Sequence, residues 1–538
     1  MPGTRPTVQL HLSNLSLGGD PAVADLGSLV AERIGARAVH VEVIRTSLDA
    51  RARPPVWRGT LRVTVLEQDA PRALGAPGVR AWSDRDEVRR SGVVPAVARS
   101  WDRRPIVVGA GPAGIFCALR LAEAGAPAIL IERGGPVEER VPKVNGFWRG
   151  GPLDEECNIL YGEGGAGTFS DGKIYTRRRD GELGWVFRRL VDAGADPGIL
   201  QESWAHLGTD KVRAILPELR RQLRAAGVEV RFNTRVDEFL VEQGVCTGVR
   251  VTGPGGVEEV RGGPVVVATG HSARDTVAAL LRCGALAEQR PIAIGARIEH
   301  PQGVIDAARY PTGRGDLPPA SYRLAYTPEN GAAAYTFCMC PGGMVVPAQE
   351  SAGLVVVNGM SFAARRAMWA NSALIVQVPV EAYAPWARFP GDPMAGIGFQ
   401  KAIERAAFEV SGGYSAPAQR VPDFLAGRAS ESLPRVSFPM GVVSVDLARV
   451  LPAPVVLGMR EAIRRFDAEL PGFAGEEGVL IAPETRTTAP LRFLRGEDLQ
   501  STSVRGLYPC GEGAGFAGGI ISAALDGFRV AQAVSACV

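Results

Sequence analysis

The stretch "RRPIVVGAGPAGIFCALRLAEAGAPAILIERG", residues 103 to 134, limits what this 538-residue chain can fold into more than any other. An apolar strand runs directly into Gly109, Gly111 and Gly114 at GxGxxG spacing, an amphipathic helix follows, and a second apolar strand ends on Glu132. The three glycines serve different ends. Gly109 permits the tight turn, Gly111 lets the backbone approach a pyrophosphate, and Gly114 lets helix and strand pack closely. The first N–H groups of the helix lack partners inside it and face the turn, which suits an anion. A carboxylate about 20 residues past the first glycine is where a ribose hydroxyl is held. The spacing therefore predicts a dinucleotide cradle that starts a hundred residues into the chain.

This fingerprint does not separate NAD from FAD, because both carry an adenosine diphosphate half. The far end of the chain distinguishes them. "GLYPCGEGAGFAGGIISAALDGFRVAQAV", residues 506 to 534, is another strand, glycine turn and helix. A glycine loop entering a helix there, with Gly511 among the cofactor-binding residues, would set Glu512 near ribityl hydroxyls, and Gly518, Gly519 and Ile520 against the pyrimidine edge of a flavin. The positive end of the helix dipole would favour negative charge on the reduced ring. Between the two ends, "GGPVVVATGHSARDT" is a strand finishing in Ala268, Thr269 and Gly270, which resembles the ATG segment of two-dinucleotide-binding-domain flavoproteins.

Ahead of the cradle, residues 7 to 66 read β-α-β-β, the order of a small ferredoxin-like α+β module. The Arg-, Pro- and Ala-rich stretch from about 68 to 103 has weak periodicity and reads as a linker. Residues 286 to 478 mix β-rich runs with helical ones, as a substrate domain inserted into the nucleotide domain would. The expected organisation is an α/β chain: a module plus linker over 1–95, a discontinuous Rossmann-type FAD-binding domain over 104–285 and 479–538, and an inserted α+β substrate domain over 286–478.

Taken together, "RTSLDARARPPVWRGTLRV", "YGEGGAGTFSDGKIYT", "ATGHSARDT", "IGARIEHPQ", "YTFCMCPGGMVV", "NGMSFAARRAMWANSALIV", "PETRTTAPLR" and "GEGAGFAGGIISAALDG" resemble the FAD-dependent dehydrogenases of the glutathione reductase superfamily, of the NAD(FAD)-utilising type. The match runs along nearly the whole chain. It departs locally, as at Met368 and Trp369, where an acidic or polar stretch is expected. The resemblance implies FAD as cofactor. It places the "YGEGGAGTFSDGK" loop beside the flavin ring, which makes Gly165, Gly167, Thr168, Ser170, Asp171 and Lys173 candidates for contacts there, with Ala113, Arg133 and Val236 completing the cofactor set. Asp171 and Lys173 are also candidates for proton transfer. Among only five histidines, His271 and His300 are the natural acid–base candidates, with capping or core roles as the competing reading. His300 follows Arg297 and Glu299 at the end of an apolar strand.

The remaining composition narrows the function. Formal net charge is +3 with arginines interleaved among acids, so neither a nucleic-acid groove nor an anionic membrane surface is expected. No segment approaches the ~18 apolar residues of a membrane span, and no signal-peptide pattern opens the chain, so a cytoplasmic location is expected. The eight cysteines form no CxxC pair, and no metal site is expected. The CxxxxC dithiol of disulfide reductases is absent from the first glycine helix. The close pair Cys338 and Cys340 reads as two reduced thiols sharing a strand face. A second GxGxxG unit is also missing, so NAD(P)H is expected only as a transient donor, or another redox partner supplies electrons. The leading expectation is hydride transfer between flavin N5 and a C–C or C–N bond of a small organic substrate. An FAD monooxygenase and a flavoprotein acting on a protein or RNA partner are the alternatives.

Overall fold

The structure, a computed structural model, describes residues 5–18, 24–49, 52, 55–94, 103–174, 181–202, 205–329 and 331–536. The chain forms two compact units: Met1–Pro95 with Lys173–His206, and Ala96–Gly172 with Leu207–Val538.

In the first unit, β1 (Thr7–Gly18), α1 (Leu26–Ile34), β2 (His40–Asp49), β3 (Val56–Leu66), α2 (Ala70–Leu74) and β4 (Val79–Ala81) give an antiparallel sheet in the order β2-β3-β1-β4. Leu10 and Leu12 alternate inward along β1. The register shift between Leu12 and Leu15, where Asn14 takes a φ of 58°, then lets Leu15 and Leu17 keep facing the same core. Val30 and Ile34 of α1 close that core against Leu61, Val63 and Val65.

The linker expected over 68–103 is ordered structure as far as Val94. Its elements are too short to carry a periodicity: α2 has five residues and starts with a proline in its first turn, and β4 has three. Helix α3 (Asp84–Ser91) buries none of its own residues and is held by its ends. Ser83 and Asp86 form a reciprocal capping box, and Gly92 ends the helix in the left-handed region at φ 69°. Residues 95–102 of the expected linker lie outside the described residues. The segment Lys173–His206, expected within the nucleotide domain, packs with this first unit. Its helix Leu183–Asp192 meets α3 at glycine: a Cβ on Gly184 would lie 2.1 Å from the Arg89 carbonyl oxygen, and one on Gly92 would lie 2.6 Å from that of Gly184.

In the second unit a five-stranded parallel sheet carries β5 (Ile106–Val108), β6 (Ile129–Ile131), β7 (Glu229–Arg231), β8 (Val265–Val267) and the C-terminal strand Leu507–Pro509. Chain order 3-2-1-4-5 across the sheet is the doubly wound arrangement, with β5 at the point where the order reverses. Its middle strands are apolar at every position because both faces are covered. Helix α4 (Pro112–Glu123), buried from Ala113 to Leu121, packs against the C-terminal helix Ile520–Ala536, where a Cβ on Gly527 would lie 2.0 Å from the Ala113 carbonyl.

A large insert leaves and re-enters through the antiparallel pair Ala287–Gln289 and Leu491–Phe493. It is built on an eight-stranded sheet whose centre is β9 (Ile292–Pro301), flanked by β11 (Trp369–Val378) and β13 (Val479–Glu484), with β10 (Ala334–Pro347) beyond β11 and β12 (Ala416–Arg420) beyond β13. The strand at 479–484, expected to open the second part of the nucleotide domain, lies in this sheet instead. β13 pairs with β9 and β12, and its apolar run VLIAPE looks like a returning core strand without its partners in view. No helix among the described residues is long and apolar enough to cross a membrane.

The α3 crossing has a direct test. Gly184→Ala forces the two helices apart at a backbone contact and is expected to cost about 1–3 kcal/mol. Hydrogen exchange should speed up over 84–91 and 183–192 while the parallel sheet keeps its protection.

Candidate functional site

The glycine turn after β5 has the geometry its spacing predicts. Gly109 sits at φ 101°, and a Cβ there would lie 2.5 Å from the Ala268 carbonyl. A Cβ on Gly114 would lie 1.8 Å from the Gly109 carbonyl, so only glycine lets α4 start this close to the strand. Gly111 is different: nothing comes nearer its Cβ position than the Gly165 Cα at 3.9 Å, which leaves the mouth of α4 open. Pro112, in the first turn of α4, lacks an N–H that the helix would not use.

Glu132 is 6% exposed, and its carboxylate ties three segments together. Oε2 accepts from the Ala110 N–H at 2.8 Å, and Oε1 accepts from those of Gly134 at 3.0 Å and Gly162 at 2.9 Å. A carboxylate has about four acceptor directions, so one remains for a ligand hydroxyl.

The second glycine loop is organised by a residue that sequence reading misses. Arg140, on α5 (Val137–Trp148), is fully buried. Its guanidinium donates to the carbonyls of Asn158 (2.7 Å), Ile159 (2.7 Å) and Glu163 (2.7 Å) and to the Thr168 hydroxyl (3.0 Å). No carboxylate among the described residues pairs with it directly, and burial lowers its pKa to about 10. Within "VEERVPKV" it resembles one more charge on a solvated helix. The loop it holds reaches both glycine-rich helix starts: a Cβ on Gly165 would lie 3.1 Å from Gly111 Cα, and one on Gly167 would lie 3.2 Å from the Ile520 side chain.

The third glycine segment closes the ring. A Cβ on Gly513 would lie 2.3 Å from the Gly270 carbonyl, so the ATG turn and the C-terminal loop touch through backbone. The Gly511 N–H donates to Asp526 at 2.7 Å, a residue whose only sequence signal is the family resemblance, and Asp526 pairs with Arg495 at 2.6 Å, which has none. Gly518 and Gly519 are exposed, with nothing within 4 Å of either Cβ position, directly before the helix beginning at Ile520.

Glu512 lies 3.5 Å from His271 Nδ1 and accepts from the Gly519 N–H. Burial raises Glu512 to about 7. Burial, together with the nearby Arg486 and Arg274, lowers His271 to about 4. At neutral pH the histidine is a neutral base beside a carboxyl that is half protonated. The two arginines belong to a buried four-charge cluster. Glu404 accepts from Arg274 (2.9 Å) and from Arg486 (2.7 Å), and Glu350 lies against both arginines.

On the inserted sheet, Arg297 is fully buried and pairs with Glu484 at 2.5 Å. It also donates to the Cys338 carbonyl (2.9 Å), Asn371 (3.1 Å) and Asn358 (2.9 Å). Burial raises Glu484 to about 7, held down in part by Arg297. Glu484 and Arg486 both come from "PETR", a run whose only sequence signal is the family resemblance.

The remaining expected site residues are placed as follows. Asp171 is fully buried and accepts from the Ser361 hydroxyl, while Ser170 donates to the Gly167 carbonyl at 2.8 Å. The Thr168 hydroxyl is turned inward and donates to the Glu163 carbonyl at 2.8 Å. Arg133 lies over the Tyr161 ring at 4.5 Å and pairs with Asp275. Val236 is a core residue on the strand Arg235–Glu242. Lys173 belongs to the first unit, where it bridges to His206. His300 needs correction as an acid–base candidate. It is fully buried against Phe473, with ring centroids 5.1 Å apart, and its Nε2 donates to the Phe473 carbonyl at 2.9 Å. Arg297 and Glu299 do not join it: Glu299 accepts from the Ser437 N–H at 2.8 Å, and Arg297 binds Glu484.

Residues 104–146 match the family described as FAD binding domain, 178–310 match FAD dependent oxidoreductase, and 291–487 match FAD-dependent protein, C-terminal domain-like. The protein is an FAD-dependent oxidoreductase, and FAD is its cofactor. It belongs to the same family as an uncharacterized protein of Clostridium beijerinckii, 38% identical over 532 residues that cover 97% of this chain and 98% of that one. Among solved structures it is similar to a variant of the flavin-dependent brominase Bmp2 (14% identity, TM-score 0.36, covering 81% of this chain and 80% of that one). It is also similar to a 3-ketosteroid-delta4-(5alpha)-dehydrogenase from Rhodococcus jostii (12%, TM-score 0.35, 82% and 99%).

Two outcomes follow from the geometry. Arg140→Met leaves several buried carbonyls unpaired at about 1–3 kcal/mol each. It should lower the thermal midpoint and release FAD, measured by flavin fluorescence after gel filtration. For Glu512, a folded pKa raised to about 7 means that the folded state holds a proton the unfolded chain has lost. Its contribution is fully present below about 4.5 and is lost as pH rises through about 7. Against Glu512→Gln, the flavin-free wild type should therefore lose up to about 3 kcal/mol between pH 4.5 and 7.5 in denaturant melts.

Proposed function

We propose that this flavoenzyme is a dehydrogenase or reductase that moves a hydride between its flavin and a C–C or C–N bond of a small organic molecule. In this reading the parallel sheet is a Rossmann-type FAD domain, residues 290–490 form an inserted substrate domain, and the N-terminal unit is a ferredoxin-like module with its β-α-β-β-α-β order. The observation that carries the reading is the meeting of three glycine segments. Gly165 approaches Gly111, Gly167 approaches Ile520, and Gly513 approaches Gly270, while the Cβ positions of Gly111, Gly518 and Gly519 stay open. Such a ring of backbone with room at both helix mouths suits an extended dinucleotide.

Glu132 would hold the adenosine ribose, the start of α4 the pyrophosphate, Glu512 the ribityl chain, and Gly519 and Ile520 the pyrimidine edge. Bound there, FAD supplies a two-electron acceptor and donor. The backbone N–H groups of Gly519 and Ile520 at the start of the C-terminal helix would favour negative charge on that edge by about 1–3 kcal/mol. His271 and Glu512 form the proton-exchanging pair. One is a neutral base and the other a half-protonated acid, so either can give or take the proton that accompanies a hydride. Asp171, on the second glycine loop, is held by the Ser361 hydroxyl. NAD(P)H serves as a transient donor or another redox partner takes its place.

The protein is expected to purify yellow, with FAD released on denaturation and therefore non-covalent. Glu132→Ala should weaken flavin retention at least tenfold by removing three loop contacts together with the ribose acceptor. Anaerobic photoreduction followed by reoxidation with a panel of enones, imines, quinones and oxygen tests the reaction class. Oxygen uptake coupled to a hydroxylated product would replace the reading with a monooxygenase.

A further inference from the structure

The sequence "YTFCMCPGG" places two cysteines where the proposed chemistry has not used them. Cys338 sits on β10 with φ 46°, a left-handed conformation that is strained for a non-glycine residue and gathers at functional sites. It lies in a bulge. Phe337 faces Ala373 and Cys340 faces Asn371, so β10 fits one extra residue into the ladder there. Residues two apart on a regular strand are about 6.6 Å apart, the upper edge of the Cα separation that a disulfide spans. Fitting an extra residue into the same length brings them within it. The Cys340 side chain already turns back on its neighbour, with Sγ 3.2 Å from the Cys338 carbonyl.

The surroundings separate these thiols from the others. Cys117 and Cys246 lie in apolar cores, where burial pushes their pKa values up, Cys246 to about 12. Cys338 and Cys340 instead both act electrostatically on the buried guanidinium of Arg297, which donates to the Cys338 carbonyl. Across the ladder from Cys340, the fully buried Asn371 gives its Oδ1 to Arg297 while its Nδ2 has no partner among the described residues, a buried donor without an acceptor. Cys338 also pushes up both Glu484 on the inserted sheet and Glu512 on the C-terminal glycine loop, so the bulge lies within electrostatic range of the loop assigned to the flavin.

We propose that Cys338 and Cys340 are a redox pair that exchanges two electrons with FAD held in the glycine-loop cradle. On oxidation two S–H bonds break and one S–S bond forms. The electron pair and one proton pass to the oxidised isoalloxazine, and the second proton leaves through Glu512 or solvent. Reduction of the disulfide by reduced flavin is the same exchange in reverse. The pair thereby gives the enzyme a second two-electron store, suited to a dithiol or disulfide partner as donor or acceptor. The inference rests on FAD occupying that cradle.

Anaerobic dithionite titration of the holoenzyme tests it, read by flavin absorbance. The wild type should take up two more electrons per flavin than Cys338→Ser or Cys340→Ser. A second readout needs no variant: in air-oxidised holoenzyme the peptide holding both cysteines should resist iodoacetamide and weigh two hydrogens less than after reduction. Equal electron uptake by wild type and variants, with both thiols alkylated in the oxidised enzyme, overturns the pair while leaving the flavin reading intact. Protein that carries no flavin and cannot be reconstituted with FAD overturns both.

Discussion

The carboxylate of Glu132 holds the site together. It ends the second strand of the parallel sheet and accepts N–H groups from the first glycine turn, from its own following turn and from the second glycine loop. Three loops far apart in sequence are thereby fixed to one buried anion. Arg140 complements it from the other side of the second loop, collecting carbonyls where Glu132 collects N–H groups, and the anion raises the pKa of that guanidinium against its burial. Removing either would leave the opposite set of buried backbone groups unsatisfied, and such groups are costly in a low-dielectric interior.

Paired burial also shapes the chemistry beyond the cradle. Arg274, Arg486, Glu350 and Glu404 are enclosed as two cations and two anions, so each desolvated charge has an opposite within reach. A cluster of this kind adds little net stability but fixes geometry, because breaking one member strands another. Its cations lower the His271 pKa, while enclosure raises those of Glu512 and Glu484. These surroundings therefore leave an imidazole neutral at neutral pH and two carboxyls that titrate near it.

Glycine is used here to bring backbone against backbone. At Gly109, Gly114, Gly513 and Gly527 an added Cβ would fall within 2.5 Å of a carbonyl oxygen. These contacts set the spacing between the strand, the two packed helices and the ATG turn. At Gly111, Gly518 and Gly519 the same absence of a side chain leaves open space, and the contrast separates glycines that pack from glycines that make room.

Local order determines what is legible in the chain alone. β5, α4 and β6, the C-terminal strand and helix, and the strand before Gly270 all follow from apolar runs broken by glycine, because each is decided by neighbours within a turn or two. His271, Glu132 and Glu512 are legible for the same reason, since each stands at a fixed offset from such a turn. Tertiary structure decided the rest. His300 ends a strand just as His271 follows one, yet its strand runs into an aromatic core. Arg140, Asp526, Arg486 and Glu484 carry no local pattern, because what makes them important is a partner tens to hundreds of residues away. The segment 173–206 joins the N-terminal module, and β13 joins the inserted sheet, because strand pairing and helix packing are chosen by complementary faces, which adjacency along the chain does not encode.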